Sequence, residues 1–220
     1  MIYLYSGKPG SGKSLHCAAD VEHYIKRGKN VITNYEINHG FFSKRQLRKA
    51  GQFIEVTNDE LTVDFLLDFA DRYHKRNKKG QIIEKQTLLV IDECQTMFNA
   101  RSWNRKDRMQ WCVFFTQHRK FGYTVILVTQ DISFIDKQIR NVLEFEYEHR
   151  NLKHFKIIGG LLSLLCGGNL FVVVVKWMSN GKRDHTEFFR GKRKYYKLYD
   201  SYKIFDTKHL RTSGGGAAEQ

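Results

Sequence analysis

Residues 2–15 read IYLYSGKPGSGKSL, and this stretch decides the class of fold. Ile2–Tyr5 is a short apolar run of the kind that forms a buried strand. It breaks into a glycine-rich turn at Ser6–Gly12, and the apolar spacing beyond predicts an amphipathic helix from about Ser14 to Arg27, closed by Gly28. Gly7, Lys8, Pro9, Gly10, Ser11, Gly12, Lys13 and Ser14 match G-x-x-x-x-G-K-[ST] without deviation, and Leu15 carries the set into the helix. The spacing has a physical reason. Glycines let the backbone wrap so that successive N–H groups point inward at an anion, and the helix that follows adds its positive end. Lys13 is then placed to reach β- and γ-phosphates, and the Ser14 hydroxyl to ligate Mg²⁺.

Leu88-Leu89-Val90-Ile91-Asp92-Glu93 supports this reading. A continuous apolar run is the mark of a strand buried on both faces of a parallel sheet. Ligands of such sheets bind at the carboxyl ends of the strands, where Asp92 and Glu93 fall. Asp92 suits the Mg²⁺ shell, and Glu93 suits activation of an attacking water; a cap for the next helix is the plainer role for Glu93. A further strand, Thr124–Thr129, ends in Gln130, a candidate to contact the γ-phosphate or simply to close the strand end. Arg119 and Arg140 are candidates for the cation that stabilises phosphoryl transfer, each also readable as a surface salt-bridge residue. No guanine-specific N-K-x-D occurs, since Asn104-Arg105-Lys106-Asp107 has Arg in the second place. ATP is therefore the expected nucleotide, with Mg²⁺ as its cation.

Further strands are expected at Asn30–Thr33 and Phe53–Val56, with helices within Asp59–Tyr73 and from about Arg105 to Lys120. The basic run His74–Lys79 reads as an exposed loop. Alternating strands and helices imply an α/β P-loop NTPase: a three-layer α/β/α domain with a mostly parallel sheet, over residues 1–142. After about residue 143 the pattern changes to Glu144–His149, Phe171–Met178 and Thr186–Arg190. A small β-rich C-terminal extension and a basic segment are expected over 143–211, and a flexible tail over 212–220. The apolar stretch Ile157–Cys166 reads as a buried strand or hairpin, or else as an exposed patch.

The chain has 220 residues, 37 Lys+Arg against 23 Asp+Glu, and a formal charge of +14. That excess implies an anionic partner. Hydrophobic residues at 41% exclude a disordered chain. Cys17, Cys94, Cys112 and Cys166 fall in no C-x-x-C pair and read as reduced thiols. No apolar run reaches the roughly 18 residues of a membrane span. Lys/Arg and Tyr195, Tyr196, Tyr199 and Tyr202 are interleaved near the C-terminus. Solvated surface, stacking on exposed bases and packing before a membrane all explain them.

GKPGSGKS, LLVIDE, Thr116–Asp131 (TQHRKFGYTVILVTQD), Asp136–Arg140 (DKQIR) and Lys194–Tyr202 (KYYKLYDSY) together resemble the zonular occludens toxin family, which includes filamentous-phage assembly ATPases. The resemblance covers about residues 1–205. It implies a likeness to ring-forming DNA-pumping ATPases and a role in assembling and extruding single-stranded-DNA virions through the host inner membrane. It carries nucleotide binding and hydrolysis onto Lys13, Ser14, Asp92 and Glu93. It further implies a homo-oligomeric ring, with an arginine supplied to the neighbouring subunit. The implied partners are phage coat and assembly proteins, single-stranded DNA and the anionic surface of the inner membrane, approached from its cytoplasmic face. Family members carry one membrane-spanning helix after the nucleotide-binding domain; these residues contain none, which reads as a truncated cytoplasmic domain or else as a member that works with a separate membrane partner, truncation being the preferred reading. A P-loop kinase and a non-hydrolysing module that binds DNA or membrane are the competing readings.

Overall fold

The computed structural model describes residues 1–101, 107–152, 170–192 and 194–198. Parallel strands β1 (Ile2–Ser6), β2 (Asn30–Thr33), β3 (Phe53–Glu55), β4 (Thr87–Ile91), β5 (Tyr123–Val128) and β6 (Phe145–Asn151) are followed by antiparallel β7 (Leu170–Trp177) and β8 (Arg183–Arg190). They form one sheet in the order β3-β2-β4-β5-β1-β6-β7-β8. The helices are α1 (Lys13–Lys26), α2 (Lys44–Lys49), α3 (Val63–Tyr73), α4 (Arg108–Gln117), α5 (Lys137–Arg140) and α6 (Tyr195–Leu198).

The sequence pattern explains the layering. Every residue of β4 and β5 is buried, because apolar side chains on both faces of a central strand meet helices on both sides. Leu4, Leu89, Ile91, Val125 and Leu127 pack with α3 and α4, where Leu66, Phe69, Trp111, Phe114 and Phe115 recur at helical spacing. Tyr5, Val31, Leu88, Val90 and Ile126 face the other way, against Leu15, Ala18, Val21 and Ile25 of α1. The expected α/β three-layer fold is present. Helix α2 was not anticipated; its Ser43/Gln46 capping box compensates for the absence of any buried residue in it.

Three expectations need correction. The strand expected at Glu144–His149 belongs to the central sheet. β6 lies parallel to β1, so the chain makes one more crossover, through α5, before β7 and β8 turn antiparallel. His74, read as part of an exposed loop, is buried. Its Nδ1–H donates to the Phe121 carbonyl and its Nε2 accepts from the Thr87 hydroxyl, tying the end of α3 to the start of β4. Tyr195, read as a surface aromatic, is also buried. The apolar stretch Ile157–Cys166, the segment 102–106, Tyr199, Tyr202 and the tail from 212 lie outside the described residues. Among the described residues Cys17, Cys94 and Cys112 are free thiols, and no helix is long and apolar enough to cross a membrane.

Helix α6 is fastened to α1 by one carboxylate. Glu22, buried on α1, accepts from Lys194 Nζ at 2.5 and 2.6 Å and from Tyr195 Oη at 3.0 Å, and pairs with Lys26 at 2.9 Å. Burial opposes the charge, but these three donors outweigh it and hold the Glu22 carboxyl below the usual range. Leu198 supplies the apolar part, and its carbonyl accepts from Asn38 N–H at 3.0 Å. Glu22→Ala should therefore cost about 2 kcal/mol and lower Tm by roughly 5 °C, measured by thermal unfolding. An unchanged Tm would show that the clamp contributes nothing.

Candidate nucleotide-binding site

Helix α1 starts without a side-chain cap. Its N-cap, Gly12, has φ 98° and makes no side-chain hydrogen bond, and no acidic residue lies in its first turn. Helices α2, α3 and α5 by contrast open on Ser43, Thr62 and Asp136, each accepting a first-turn N–H, whereas α4 shares the missing side-chain cap but follows no glycine-rich loop. An uncapped helix head leaves N–H donors and a partial positive charge for an anion. The loop before it is shaped for close approach. A Cβ on Gly12 would lie 2.7 Å from the Phe171 ring, and one on Gly7 would overlap the His149 carbonyl. Ser11 Oγ is buried without a hydrogen-bond partner, as expected of a polar atom whose partner is a ligand.

Lys13 curls back over this loop, its Nζ donating to the Gly7 carbonyl at 2.6 Å and to that of Lys8 at 3.3 Å. Burial pulls its ammonium below the usual lysine range, while the charges of Asp92 and Glu93 push it back. Those acids stand at the end of β4, two strands from β1, and Gln130 at the end of β5 lies between. Gly7 N–H donates to the Gln130 carbonyl at 3.3 Å. Gly7, Lys8, Pro9, Ser11 and Gln130 line one cavity of about 930 Å³. Ser14 follows Lys13 in the first turn of α1, and Leu15 turns inward to the core.

The acid turn is held by a residue the sequence reading did not single out. Asn34, just beyond β2, accepts from Asp92 N–H at 2.6 Å and donates to the Asp92 carbonyl at 2.9 Å. A lone Asn after a strand carries no distinguishing signal; only the adjacency of β2 and β4 reveals it. Glu93 sits in the left-handed region at φ 45°, ψ 44°, a conformation that costs a non-glycine residue on the order of 1 kcal/mol. Its exposed carboxylate accepts from Gln95 Nε2.

The two arginines named from sequence are not brought to this cavity. Arg119 follows α4 at the edge where β5 begins, opposite the loop, and its charge acts on the Met1 amino group and His118. Arg140 ends α5 in a separate cavity with Glu144, Trp177 and Met178.

Two histidines lie directly behind the loop. His149 Nδ1 bonds the Tyr147 carbonyl at 2.8 Å, and since a carbonyl only accepts, this nitrogen carries the proton. His149 Nε2 then accepts from His16 Nδ1–H, at 2.9 Å. Tyr5 and Phe189 stack on His16 with ring centroids at 4.8 and 4.7 Å. Burial lowers the pKa of His149 to about 3, with the neighbouring His16 adding to it. The chain of bonds requires His149 Nε2 to be unprotonated, and burial holds His16 below the usual histidine range as well.

Comparison with known proteins places this geometry in context. The family described as zonular occludens toxin (Zot) matches residues 1–159. The Gene 1 proteins of Enterobacteria phage I2-2 and Salmonella phage IKe are each 32% identical, over 96% of this chain and 58% of their own length. That of Enterobacteria phage M13 is 31% identical, over 94% and 61%. The chain thus spans about three fifths of the curated relatives it matches. Among solved structures, the N-terminal domain of zonular occludens toxin from Neisseria meningitidis superposes with TM-score 0.55 at 16% identity, covering 90% of this chain and 98% of that one. The genome packaging NTPase B204 from Sulfolobus turreted icosahedral virus 2, in complex with ATP-gammaS, gives 0.51 at 14%, covering 87% and 97%. The ATPase domain of G40P gives 0.55 at 10%, covering 90% and 83%. At such identities the likeness is one of fold: a P-loop NTPase.

The histidines set an acid limit. His149 titrates near 3 and His118 near 4 when folded, against an ordinary 6.5. The unfolded chain binds those protons first, so stability is full above pH 6.5 and falls as pH drops toward 3. The slope is about 1.4 kcal/mol per pH unit for each group. Tm measured from pH 7 to pH 4 should drop less steeply in His149→Asn than in the wild type; equal slopes would contradict the neutral pair.

Proposed function

This chain belongs to the zonular occludens toxin (Zot) family, and from that premise we propose that it is an ATP-hydrolysing motor domain serving the assembly and extrusion of filamentous single-stranded-DNA phage. The observation that carries the reading is the uncapped head of α1, with Lys13 between the loop and the Asp92–Glu93 turn. The Gene 1 proteins of filamentous phages support the biological setting, and the fold shared with the packaging NTPase B204 is compatible with a motor.

The residues divide the chemistry among them. The loop N–H groups and Ser11 Oγ bind the phosphate tail, and Lys13 exchanges the Gly7 carbonyl for β- and γ-oxygens. Ser14 and Asp92 offer the hard oxygen ligands that Mg²⁺ prefers. Mg²⁺, when bound, supplies charge neutralisation of the transferred phosphoryl group. Glu93 takes the proton of the attacking water, aimed by its unusual backbone conformation and by the Asn34 clamp beneath it. Gln130, hydrogen-bonded through its carbonyl to Gly7, lies at the strand end where loss of the γ-phosphate is felt.

The same reading includes a homo-oligomeric ring on the cytoplasmic face of the host inner membrane. Its partners would be phage coat and assembly proteins, single-stranded DNA and the anionic lipid surface. The formal charge of +14 supports an anionic partner.

Steady-state phosphate release and nucleotide binding test the core of this. Glu93→Gln should lower turnover by about 10²- to 10⁴-fold while leaving ATP binding intact. Lys13→Ala should lose both. Wild-type turnover in both variants, or transfer of phosphate to an acceptor rather than to water, would overturn the reading.

A further inference from the structure

β6 does not stop where its pairing with β1 ends. Ser6 is opposite Glu148, and β6 continues to Asn151 alongside the phosphate loop, whose Gly10 carbonyl accepts from Asn151 Nδ2 at 3.2 Å. Alternation along a strand puts Glu146, Glu148 and Arg150 on one face. With Lys176 of β7, these three line the same cavity as Gly7–Pro9, Ser11 and Gln130.

The charges in this group are unevenly held. Glu146 accepts from the Ser6 hydroxyl at 2.6 Å and pairs with Lys176 at 3.5 Å. Glu148 uses its two oxygens separately: Oε2 holds Lys176 at 2.6 Å, and Oε1 holds Arg150 through Nε and Nη2, both at 2.7 Å. Lys176 therefore has two carboxylates and Arg150 has one. Glu146 is buried, whereas the Arg150 side chain is 49% exposed. If Arg150 leaves, Glu148 keeps Lys176 as its counter-ion. A guanidinium that can be released without stranding a buried charge, beside a loop built for phosphate, is suited to a second anion with bidentate geometry.

We propose that Arg150 is a nucleotide-contacting residue of this chain's own site, exchanging the Glu148 carboxylate for phosphate oxygens when a nucleoside triphosphate occupies the loop. The inference rests on the loop being the nucleotide site. It assigns to β6 the cis cation that neither Arg119 nor Arg140 supplies in this cavity.

Equilibrium binding of a fluorescent ATP analogue to the 220-residue chain tests it, with wild type, Arg150→Ala, Glu148→Gln and Lys13→Ala measured side by side. Arg150→Ala should weaken binding about tenfold. Glu148→Gln, which loosens Arg150 while leaving Lys176 beside Glu146, should tighten it. A purely structural ion pair would make both variants weaker, and that result overturns the proposal, as does wild-type affinity in Arg150→Ala. The Glu148→Gln comparison holds even if Arg150→Ala folds poorly. Wild-type affinity in Lys13→Ala would instead remove the nucleotide site itself.

Discussion

Everything about this site follows from a helix that begins without a partner for its first N–H groups. Burying or crowding such donors is costly unless something accepts from them. The chain supplies no Ser, Thr, Asp or Asn at the N-cap of α1, and no acid in its first turn. It supplies glycines that let the preceding loop fold over the helix head, and a lysine that lies across the loop carbonyls. A side chain at Gly12 would satisfy neither the backbone angle nor the Phe171 ring beside it. The loop's carbonyls are met by Lys13, and the helix head beneath it is left suited to an anion.

The sheet then determines what stands around that anion. Because β5 is inserted between β1 and β4, the acid turn is separated from the loop by one strand, with the β5 end between them. On the other side β6 runs parallel to β1, so its carboxyl end also reaches the ligand edge, bringing Glu148, Arg150 and Asn151 with it. Three neighbours of the loop therefore come from segments far apart in sequence. Their convergence is a property of strand order, not of any local motif.

That distinction explains what could be read from the residues alone. Gly7–Ser14 and Asp92–Glu93 were legible because each is a local pattern whose physics is complete within a few residues, and the runs at β4 and β5 were legible because burial on both faces makes them almost continuously apolar. Asn34, His16, His149 and Arg150 were not. Asn34, His16 and His149 act through partners on another strand or helix, and Arg150, though paired with Glu148 on its own strand, reaches the loop only because β6 lies beside β1. Glu22 was hidden for the same reason, since its partners Lys194 and Tyr195 lie far along the chain. Grouping Glu144–His149 with an extension failed because alternation shows a strand without showing which strand it pairs with. Arg119 and Arg140 lie away from this chain's own cavity, which leaves open the role expected of them toward a neighbouring subunit.

The position of β1 has one further consequence. It is held by backbone hydrogen bonds on both sides, with buried side chains from Ile2 and Leu4 beneath. The phosphate loop is thereby mounted on a strand paired along both edges, with the carboxyl ends of β4, β5 and β6 grouped around it.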